Sequence, residues 1–480
     1  MNGIVSYGVH LPYWRLDRSA ITASLGQGGG RGTRSVASYD EDTTSMGVEA
    51  ARRALSAAPD GVAPDVVAFA TTAPAYADKT NATAIHAALR LPDDVPAFDV
   101  VGAARSGIAA SRLARESSGL SVLSDLRTGR PGSTEEAQGG DAAVALLFAP
   151  DDAAPPIAVQ LASTSTTAEF VDRWRVPGES YSRQWEERFG EAAYVPVAQH
   201  TIERLLAEAE LTIDAVTHVV VTGLHARAVR GTLAAIGAPT DSVVDDRSAT
   251  IGNTGTAHWA LLLADVLDRA APGDRVLVAQ LADGCDGVIL EVTDEVEAFR
   301  SRRPEGASVA DQLARTRDDL DHATFMTWRG FLQREPPRRP EPDRPAAPPS
   351  RRGNDWKFGF VGARDEGGFV HLPPGRVSVD SGAIDAMQPE PMADRRATIA
   401  TFTVDRLAFS LAPPVVSAIV DFDTEPGTKA ARMQIELTDV DPETVRIGGR
   451  VEMTFRRLYT VDGIHNYFWK ARPIDDGDSD

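Results

Sequence analysis

Two residues lie where backbone turns could aim a side chain at a reacting carbonyl group. Asn253 lies in "IGNTG", a glycine-flanked turn ahead of a predicted helix, where its amide could donate a hydrogen bond to a developing oxyanion. His225 follows the strand-like run "VVVTG" at a strand-to-helix turn, where an imidazole could act as a base. Each has a structural alternative: an Asx-turn or helix cap for Asn253, and a turn or interface histidine for His225.

Cys285 is the single cysteine and lies in the glycine-rich turn "LADGCDG" after a predicted strand. It could be a nucleophile, but a lone cysteine more often serves as a small buried hydrophobe. One cysteine excludes an intrachain disulfide and a thiolate cluster for zinc or iron–sulfur. Metal chemistry would therefore have to rest on histidine and carboxylate side chains, and we expect no metal and no cofactor.

Net charge narrows the choice of partners. Asp and Glu number 69 against 49 Lys and Arg, which gives a formal charge of −20. Such a chain repels nucleic acid phosphates and anionic membrane surfaces, so neither is an expected partner. The start "MNGIVSYGVHLPYW" has no basic region or apolar leader, and no apolar run approaches the ~18 residues of a membrane span. We expect a cytoplasmic protein.

These residues must be positioned by the elements that surround them. From Gly3 to about Val292, short Val/Ile/Ala-rich runs alternate with Ala-rich amphipathic stretches, which is typical of α/β layers around a buried sheet. Predicted strands are "VVAFAT", "AAVALLFAP", "HVVVTG", "RVLVAQLA" and "GVILEVT". Predicted helices are "TTSMGVEAARRALSAA", "NATAIHAALRL", "SGIAASRLARES", "PVAQHTIERLLAEAE" and "HWALLLADVLDRA".

The pattern changes beyond this region. Residues 336–355 contain "PPRRPEPDRPAAPPSRR", whose prolines and alternating charges predict an extended linker. Residues 356–473 show period-two runs broken by Pro, Gly and Asp, with no convincing helix, which predicts a small antiparallel barrel. Residues 474–480 form an expected frayed acidic tail.

Several stretches resemble the bacterial and archaeal 3-hydroxy-3-methylglutaryl-CoA synthases, in the order of that family, over roughly the first 335 residues. They are "GIVSYGVHLPYWRL", "DEDTTSMGVEAARRAL", "PAYADKTNATAIHAAL", "FDVVGAARSGIAA", "RFGEAAYVPVAQHTIERLL", "IGNTGTAHWALLLADVL" and "TFMTWRGFL". The resemblance implies a thiolase fold, a doubled βαβαβαββ arrangement of five α/β layers, with halves at 1–165 and 166–335. It also implies a dimer that binds acyl-CoA and makes or breaks a carbon–carbon bond beside the thioester.

The C-terminal part, Trp356 to Pro473, resembles an acyl-CoA-associated family in which a rubredoxin-like zinc ribbon precedes an OB fold. Such modules are often bound to thiolase-like subunits, so the resemblance implies a homodimer or a heteromer with such a subunit. The stretch "GARDEGGFVHLPPGRVSVDSG" keeps "VHLPP", but Asp365, Ser378 and Ser381 stand near the family's cysteine positions. We therefore expect no zinc.

The family's catalytic groups can be followed by counting within these motifs. In "FDVVGAARSG" the nucleophilic cysteine of the family falls on Ala104, which has no nucleophilic group. The family's glutamate, four residues before "YADK", falls on Thr72. A strict count places the histidine at Gly223, two residues before His225, while Asn253 matches the family's asparagine.

The neighbours of Ala104 have alternatives of their own. Ser106 could replace the nucleophile, but a serine at a helix start is usually a cap. Arg105 could face a CoA phosphate, although an ion pair is the simpler interpretation.

Two functions remain open. The protein could perform acyl-CoA carbon–carbon chemistry of the aldol or retro-aldol type, with no acyl-cysteine, carried by His225, Asn253 and Asp286. It could instead be a degenerate thiolase-like subunit that scaffolds an active homologue, and an open or a filled pocket would discriminate between the two.

A weaker alternative is nucleic acid binding by the barrel, which the negative charge disfavours. Its candidate residues are Arg456, Tyr459, Tyr467, Phe468 and Trp469. The linker arginines could meet CoA phosphates, but we expect them to be solvated among acidic neighbours. They are Arg338, Arg339, Arg344, Arg351 and Arg352.

Overall fold

The computed structural model describes residues 2–335, 339, 344, 350–429 and 431–474. These form two compact units that do not follow chain order. The first contains the residues up to Ser38, Met46–Thr83 and Pro92–Met326. The second contains Tyr39–Ser45, Ala84–Leu91 and the described residues from Thr327 onward.

The strands that precede the predicted linker are spread over the whole N-terminal region. They are β1 Asn2–His10, β2 Trp14–Asp17, β3 Thr33–Val36, β4 Val67–Thr71, β5 Ala97–Val101, β6 Leu120–Asp125, β7 Ala142–Pro150, β8 Ala158–Thr167, β9 Arg173–Trp174, β10 Arg183–Gln184, β11 His218–Gly223, β12 Arg275–Leu281 and β13 Gly284–Val292. Nine of them form one sheet in the order β11-β12-β13-β8-β1-β7-β6-β4-β5. Strands β11-β12-β13-β8 form one part of this sheet and strands β1-β7-β6-β4-β5 the other. The two parts pair at Ile4 of β1 and Ala158 of β8.

Most of the helices belong to the first unit, and the last of them belongs to the second. They are α1 Arg18–Leu25, α2 Thr43–Ser56, α3 Ala82–Ala88, α4 Ser106–Glu116, α5 Thr134–Gln138, α6 Glu187–Glu208, α7 Ala226–Ala235, α8 His258–Leu267, α9 Glu295–Arg302, α10 Val309–Ala314, α11 His322–Trp328 and α12 Asn354–Lys357. Every residue of α8 is buried, because the helix contacts β1 and β7 of one part of the sheet and β11 and β12 of the other.

The core of the first unit surrounds these inner elements. Strand β7, "AAVALLFAP", is buried along nearly its whole length, as a continuous apolar run in a central strand requires. A large apolar cluster joins α8 to β1, β7 and β12, and a second one packs α6 and α7 on β11 and β13. Helix α4 packs on β4 and β6, which places its first turn at the ends of these parallel strands.

The second unit contains a three-stranded sheet and a closed barrel. The strands are β14 Val361–Arg364, β15 Val370–His371, β16 Gln388–Pro391, β17 Ala397–Asp405, β18 Val415–Phe422, β19 Arg432–Leu437, β20 Arg450–Val461 and β21 Ile464–Pro473. The sheet runs β15-β14-β16 and the barrel β17-β18-β19-β21-β20. Burial alternates strictly along β18, as expected for a strand with one face in a barrel core.

Two expected boundaries differ from the structure. The division at residues 165 and 166 falls inside β8, so the second half of the first unit begins at or before Ala158. The predicted linker was expected to lack helix up to residue 355, but Arg351–Gly353 forms a 3₁₀ turn and α12 begins at Asn354. Most of residues 336–349 and all of residues 475–480 lie outside the described residues, so the extended linker and the acidic tail stay predictions.

Candidate active site

A cavity of about 560 Å³ opens in the first unit at the start of α4. Ala104 lies two residues before the helix and lines this cavity, and so does Thr72, directly after β4. The positions that the resemblance assigned to the cysteine and the glutamate therefore meet in one space. Further lining residues come from the hairpin around β9, from α6 and from the turn between β12 and β13, and include Asp172, Arg173, Arg175, Tyr194 and Asp283.

Asp172 and Tyr194 form a buried polar network on the wall of this cavity. The Tyr194 hydroxyl donates to Asp172 Oδ2 over 2.8 Å, and His225 Nε2 lies 3.1 Å from the same oxygen. The Asp283 backbone N–H donates to the Tyr194 hydroxyl over 3.2 Å. Asp172, Tyr194 and His225 are 5%, 3% and 1% exposed, so these bonds are shielded from water.

The network keeps a proton on the phenol. Burial raises the pKa of Tyr194, and the neighbouring Asp172 carboxylate raises it further. The pKa of Asp283 is also raised, first by burial and then by Asp172. The cavity therefore holds a phenol that stays protonated and a carboxyl group that accepts a proton more readily than an exposed aspartate.

The opposite charge is supplied by two arginines of the same wall. Arg173 lies 2.9 Å from Glu135 Oε1, and burial together with the nearby Arg127 lowers the pKa of Arg173 to about 10. Arg175 donates to the Thr72 carbonyl oxygen. Arg173 stays charged at neutral pH and Arg175 adds a second guanidinium group, so this wall favours an anionic or polarised ligand.

Thr72 does not replace the missing acid–base group. Its hydroxyl donates to Asp125 Oδ1 over 2.8 Å, and its backbone N–H reaches the same oxygen at 2.8 Å. The side chain therefore holds the strand end in place.

The structure does not bring His225, Asn253 and Asp286 into one site. His225 is not among the residues that line the cavity of Ala104, because it lies behind Asp172. Asn253 lines a separate cavity of about 110 Å³. Its Nδ2 donates to the Gly223 carbonyl over 3.1 Å and its Oδ1 accepts from the Gly255 N–H at 3.0 Å, the geometry of an Asx-turn.

Asp286 is held by cations and faces a third cavity. Its Oδ2 lies 2.7 Å from Arg105 Nε and its Oδ1 accepts from Ser165 at 2.7 Å. The cavity that Asp286 lines is apolar and about 70 Å³, and Ala104 is not part of it. Arg105 is thereby committed to an internal ion pair, which agrees with the simpler of its two interpretations.

Cys285 and Ser106 lack the surroundings of nucleophiles. Cys285 is fully buried in the cluster of α6 and α7, and burial raises the pKa of its thiol to about 12. The Ser106 hydroxyl accepts from the Ala103 N–H. Both residues serve the fold.

Asp172, Tyr194 and Asp283 were not singled out from the sequence. Tyr194 and His225 are separated from Asp172 by 22 and 53 residues, and Asp172 lies in a stretch with no periodic pattern. Tyr194 lies two residues before the predicted helix "PVAQHTIERLLAEAE", whereas the observed helix α6 already begins at Glu187 and includes it. A tyrosine in such a position is ordinarily a core residue.

The ribbon positions do not suit zinc. Asp365 Oδ2 accepts from Ser378 Oγ at 2.7 Å and lies 3.1 Å from His371 Nε2. The Ser378 hydroxyl also accepts from the Ser381 backbone N–H. Hydroxyl groups are poor zinc ligands, and the residues that the structure describes contain no cluster of three or more His, Cys, Asp or Glu that could hold a metal. Hydrogen bonds join Asp365, His371 and Ser378 instead.

Most of the barrel residues suggested for nucleic acid binding have buried side chains. Tyr467 and Trp469 are buried, and Arg456 is fully buried against Glu41 at 2.7 Å. Of the linker arginines, Arg351 and Arg352 are exposed, and Arg339 pairs with Asp405 while its side chain stays 57% exposed. Arg344 lies over the Tyr459 ring, and Arg338 lies outside the described residues.

Among the described residues, no helix combines the length and the apolarity needed to cross a membrane.

Comparison with known proteins agrees with this architecture. Residues 390–456 match the family described as the C-terminal OB-fold domain of ChsH2. The hydroxymethylglutaryl-CoA synthase of Pyrobaculum calidifontis is 28% identical over 351 residues, which cover 69% of this chain and 98% of that protein.

Solved structures show the same fold. A hydroxymethylglutaryl-CoA synthase complexed with CoA has a TM-score of 0.57 at 16% identity, covering 68% of this chain and 89% of its own. The 3-oxoacyl-(acyl carrier protein) synthase III of Pseudomonas aeruginosa has a TM-score of 0.52 at 22% identity, covering 61% and 98%. The expected thiolase fold and OB fold are confirmed. The chain is thus similar in sequence to hydroxymethylglutaryl-CoA synthases over about two thirds of its length, and it has the thiolase fold and a C-terminal OB-fold domain.

Proposed function

We propose that this protein makes or breaks a carbon–carbon bond beside the thioester of an acyl-CoA, by aldol or retro-aldol chemistry, with no acyl-cysteine intermediate. The observation that carries the proposal is the cavity at the start of α4, where Ala104 meets the buried Asp172 and Tyr194 network. A methyl group cannot form an acyl-enzyme, whereas an acid–base pair in an open cavity suffices for an aldol step.

In the cleavage direction, a base removes the proton of the β-hydroxyl group of the substrate. The carbon–carbon bond then breaks, a carbonyl product leaves, and the electron pair moves into the thioester as an enolate. Proton return to the α-carbon yields the shorter acyl-CoA, so atoms and charge balance. We assign the removal and the return of the proton to Asp283, because its raised pKa makes its carboxylate a stronger base than that of an exposed aspartate. Tyr194 positions Asp283 by accepting a hydrogen bond from its backbone N–H.

The enolate oxygen needs a positive environment. Ala104 lies two residues before the start of α4, where the helix dipole favours negative charge, and Arg173 and Arg175 line the same cavity. His225 acts in this proposal as a positioning residue that holds Asp172, rather than as the base. Asn253 holds the turn before α8, and Asp286 anchors Arg105. Acyl-CoA is the expected ligand, with no zinc and no further cofactor.

The experiment is incubation of the full chain with a panel of β-hydroxyacyl-CoA thioesters, with analysis of chain-shortened acyl-CoA and of the carbonyl product. We expect turnover that Asp172→Asn and Tyr194→Phe strongly reduce and that Tyr459→Phe, in the second unit, leaves intact. Iodoacetamide should not inhibit, because no cysteine acts. Turnover unchanged in both cavity variants would contradict the proposed mechanism.

A second function has its own support. Strand β5 is the edge of the nine-stranded sheet, and the side chains of Phe98 and Val101 on it are 50% and 47% exposed. An exposed apolar edge strand favours pairing with another subunit, either a second copy of this chain or a thiolase-like homologue. If the isolated chain shows no turnover and a cysteine-bearing partner restores it, the protein is the scaffolding subunit. Native mass spectrometry would identify that partner and its stoichiometry.

A further inference from the structure

The second unit includes a short acidic segment from the N-terminal part of the chain. Tyr39–Ser45, "YDEDTTS", belongs to the second unit, although Ser38 and Met46 on either side belong to the first. Asp40, Glu41 and Asp42 are 0%, 2% and 7% exposed. Three consecutive carboxylates are rarely buried unless cations compensate them.

Strands β20 and β21 of the barrel supply these cations. Glu41 Oε1 lies 2.7 Å from Arg456 Nη1, and Asp40 Oδ2 lies 2.9 Å from Lys470 Nζ. The Tyr467 hydroxyl donates to Asp42 Oδ2 over 2.8 Å. Each carboxylate therefore has its own partner on the barrel.

The backbone of the segment is held as well. The Arg457 N–H donates to the Asp40 carbonyl over 2.8 Å, and Arg457 Nη2 donates to the Tyr39 carbonyl over 2.9 Å. Thr438 Oγ1, directly after β19, donates to Asp40 Oδ2 over 3.1 Å. Contacts to main chain and side chain together specify both the sequence and the position of the segment.

The segment adds a second carboxylate partner to each of two buried barrel cations. Arg456 and Lys470 are 0% and 2% exposed, and their barrel carboxylate partners are Asp439 and Glu436. Burial lowers the pKa of Lys470, but the carboxylates, Asp40 first, outweigh it and raise the pKa well above its usual value. Removing the segment would take one carboxylate partner from Arg456 and one from Lys470, and breaking buried ion pairs in this way is strongly unfavourable.

We propose that the barrel face formed by Thr438, Arg456, Arg457, Tyr467 and Lys470 is a docking site for an Asp-Glu-Asp segment, occupied in this chain by Tyr39–Ser45. This acid-binding face, rather than the covalent connection through residues 336–349, then holds the C-terminal part to the rest of the protein. The site is independent of the reaction proposed above, since none of its residues lines the cavity of Ala104.

The test is to cut the folded full chain. A protease recognition sequence replaces part of residues 336–349, the purified protein is cleaved, and the products are run on size-exclusion chromatography without denaturant. We expect the two fragments to co-elute. With Asp40→Asn and Glu41→Gln together, we expect the co-eluting fraction to fall at least tenfold at the same concentration.

Two controls keep the result interpretable. Glu443→Gln removes an exposed ion pair with Arg406 in the same unit and should leave the fragments together. Tyr467→Phe removes only the hydroxyl that binds Asp42, so it should weaken co-elution even if the double variant fails to fold. Separation of the cleaved wild-type fragments would overturn the proposal, as would undiminished co-elution of both the double variant and Tyr467→Phe.

Discussion

Replacing Tyr194 with Phe removes one hydroxyl group and leaves the ring in place. The hydroxyl has two partners, the Asp172 carboxylate to which it donates and the Asp283 N–H from which it accepts. The ring packs against Phe170 and His225 with centroids 6.0 Å from each, and Phe preserves these contacts. The substitution therefore isolates the polar part of the network.

The magnitude follows from burial. A hydrogen bond to a buried charged group contributes about 1.5–3 kcal/mol, and Asp172 is only 5% exposed, so the upper half of that range applies. Water can reach the Asp283 N–H, because Asp283 is exposed on the cavity. Losing the hydrogen bond from this N–H to the Tyr194 hydroxyl therefore adds little to the destabilisation. We expect the free energy of unfolding to fall by about 2 kcal/mol, which at roughly 2–4 °C per kcal/mol lowers Tm by about 4–8 °C.

The effect on turnover should be larger than the effect on stability. General acid–base catalysis contributes typically about 10²–10⁴-fold, so kcat should fall by at least about 100-fold while KM changes little. Steady-state kinetics with the β-hydroxyacyl-CoA that the panel identifies gives both constants, and calorimetry gives Tm. Tyr459→Phe in the second unit is the matched control. Full turnover together with an unchanged Tm in Tyr194→Phe would refute the reasoning on both counts.

The remaining predictions concern single features of the fold. In Gly190→Ala the new Cβ would lie 2.5 Å from His225 Cγ, so we expect lower turnover and a lower Tm than in Gly231→Ala, another glycine substitution in the neighbouring helix α7. Native Cys285 should resist iodoacetamide at pH 8, measured by intact mass, because its thiol is buried and its pKa is raised to about 12; rapid labelling would contradict this. Burial lowers the pKa of His258 to about 4, so the unfolded chain binds more protons between about pH 6.5 and 4 and stability falls as the pH falls through this window. In His258→Gln the loss measured by denaturant unfolding over that window should be smaller, and an unchanged slope would refute the assignment. EDTA should leave Tm unchanged, whereas Ser378→Ala should lower it by breaking the bond to Asp365; a Tm that falls in EDTA would show a structural metal.

The elements themselves could be predicted from local sequence. "AAVALLFAP" and "HVVVTG" are strands β7 and β11 with the predicted bounds, and "SGIAASRLARES" is α4 to within one residue. Periodicity and capping depend on neighbours a few residues apart, so they can be recognised without any knowledge of the fold. Motif counting also placed Thr72 and Ala104 together, and both line one cavity.

The acid–base network and the acid-binding face were decided by tertiary structure alone. Asp172 meets Tyr194 and His225, and Asp42 meets Tyr467 at a separation of 425 residues, only because β-sheet and barrel packing brings distant turns together. A sequence shows which residue types are present. It does not show which side chains become buried against one another and so lose their contact with water. That loss sets the pKa values and the charge pairing, so these sites become visible only once the chain is folded.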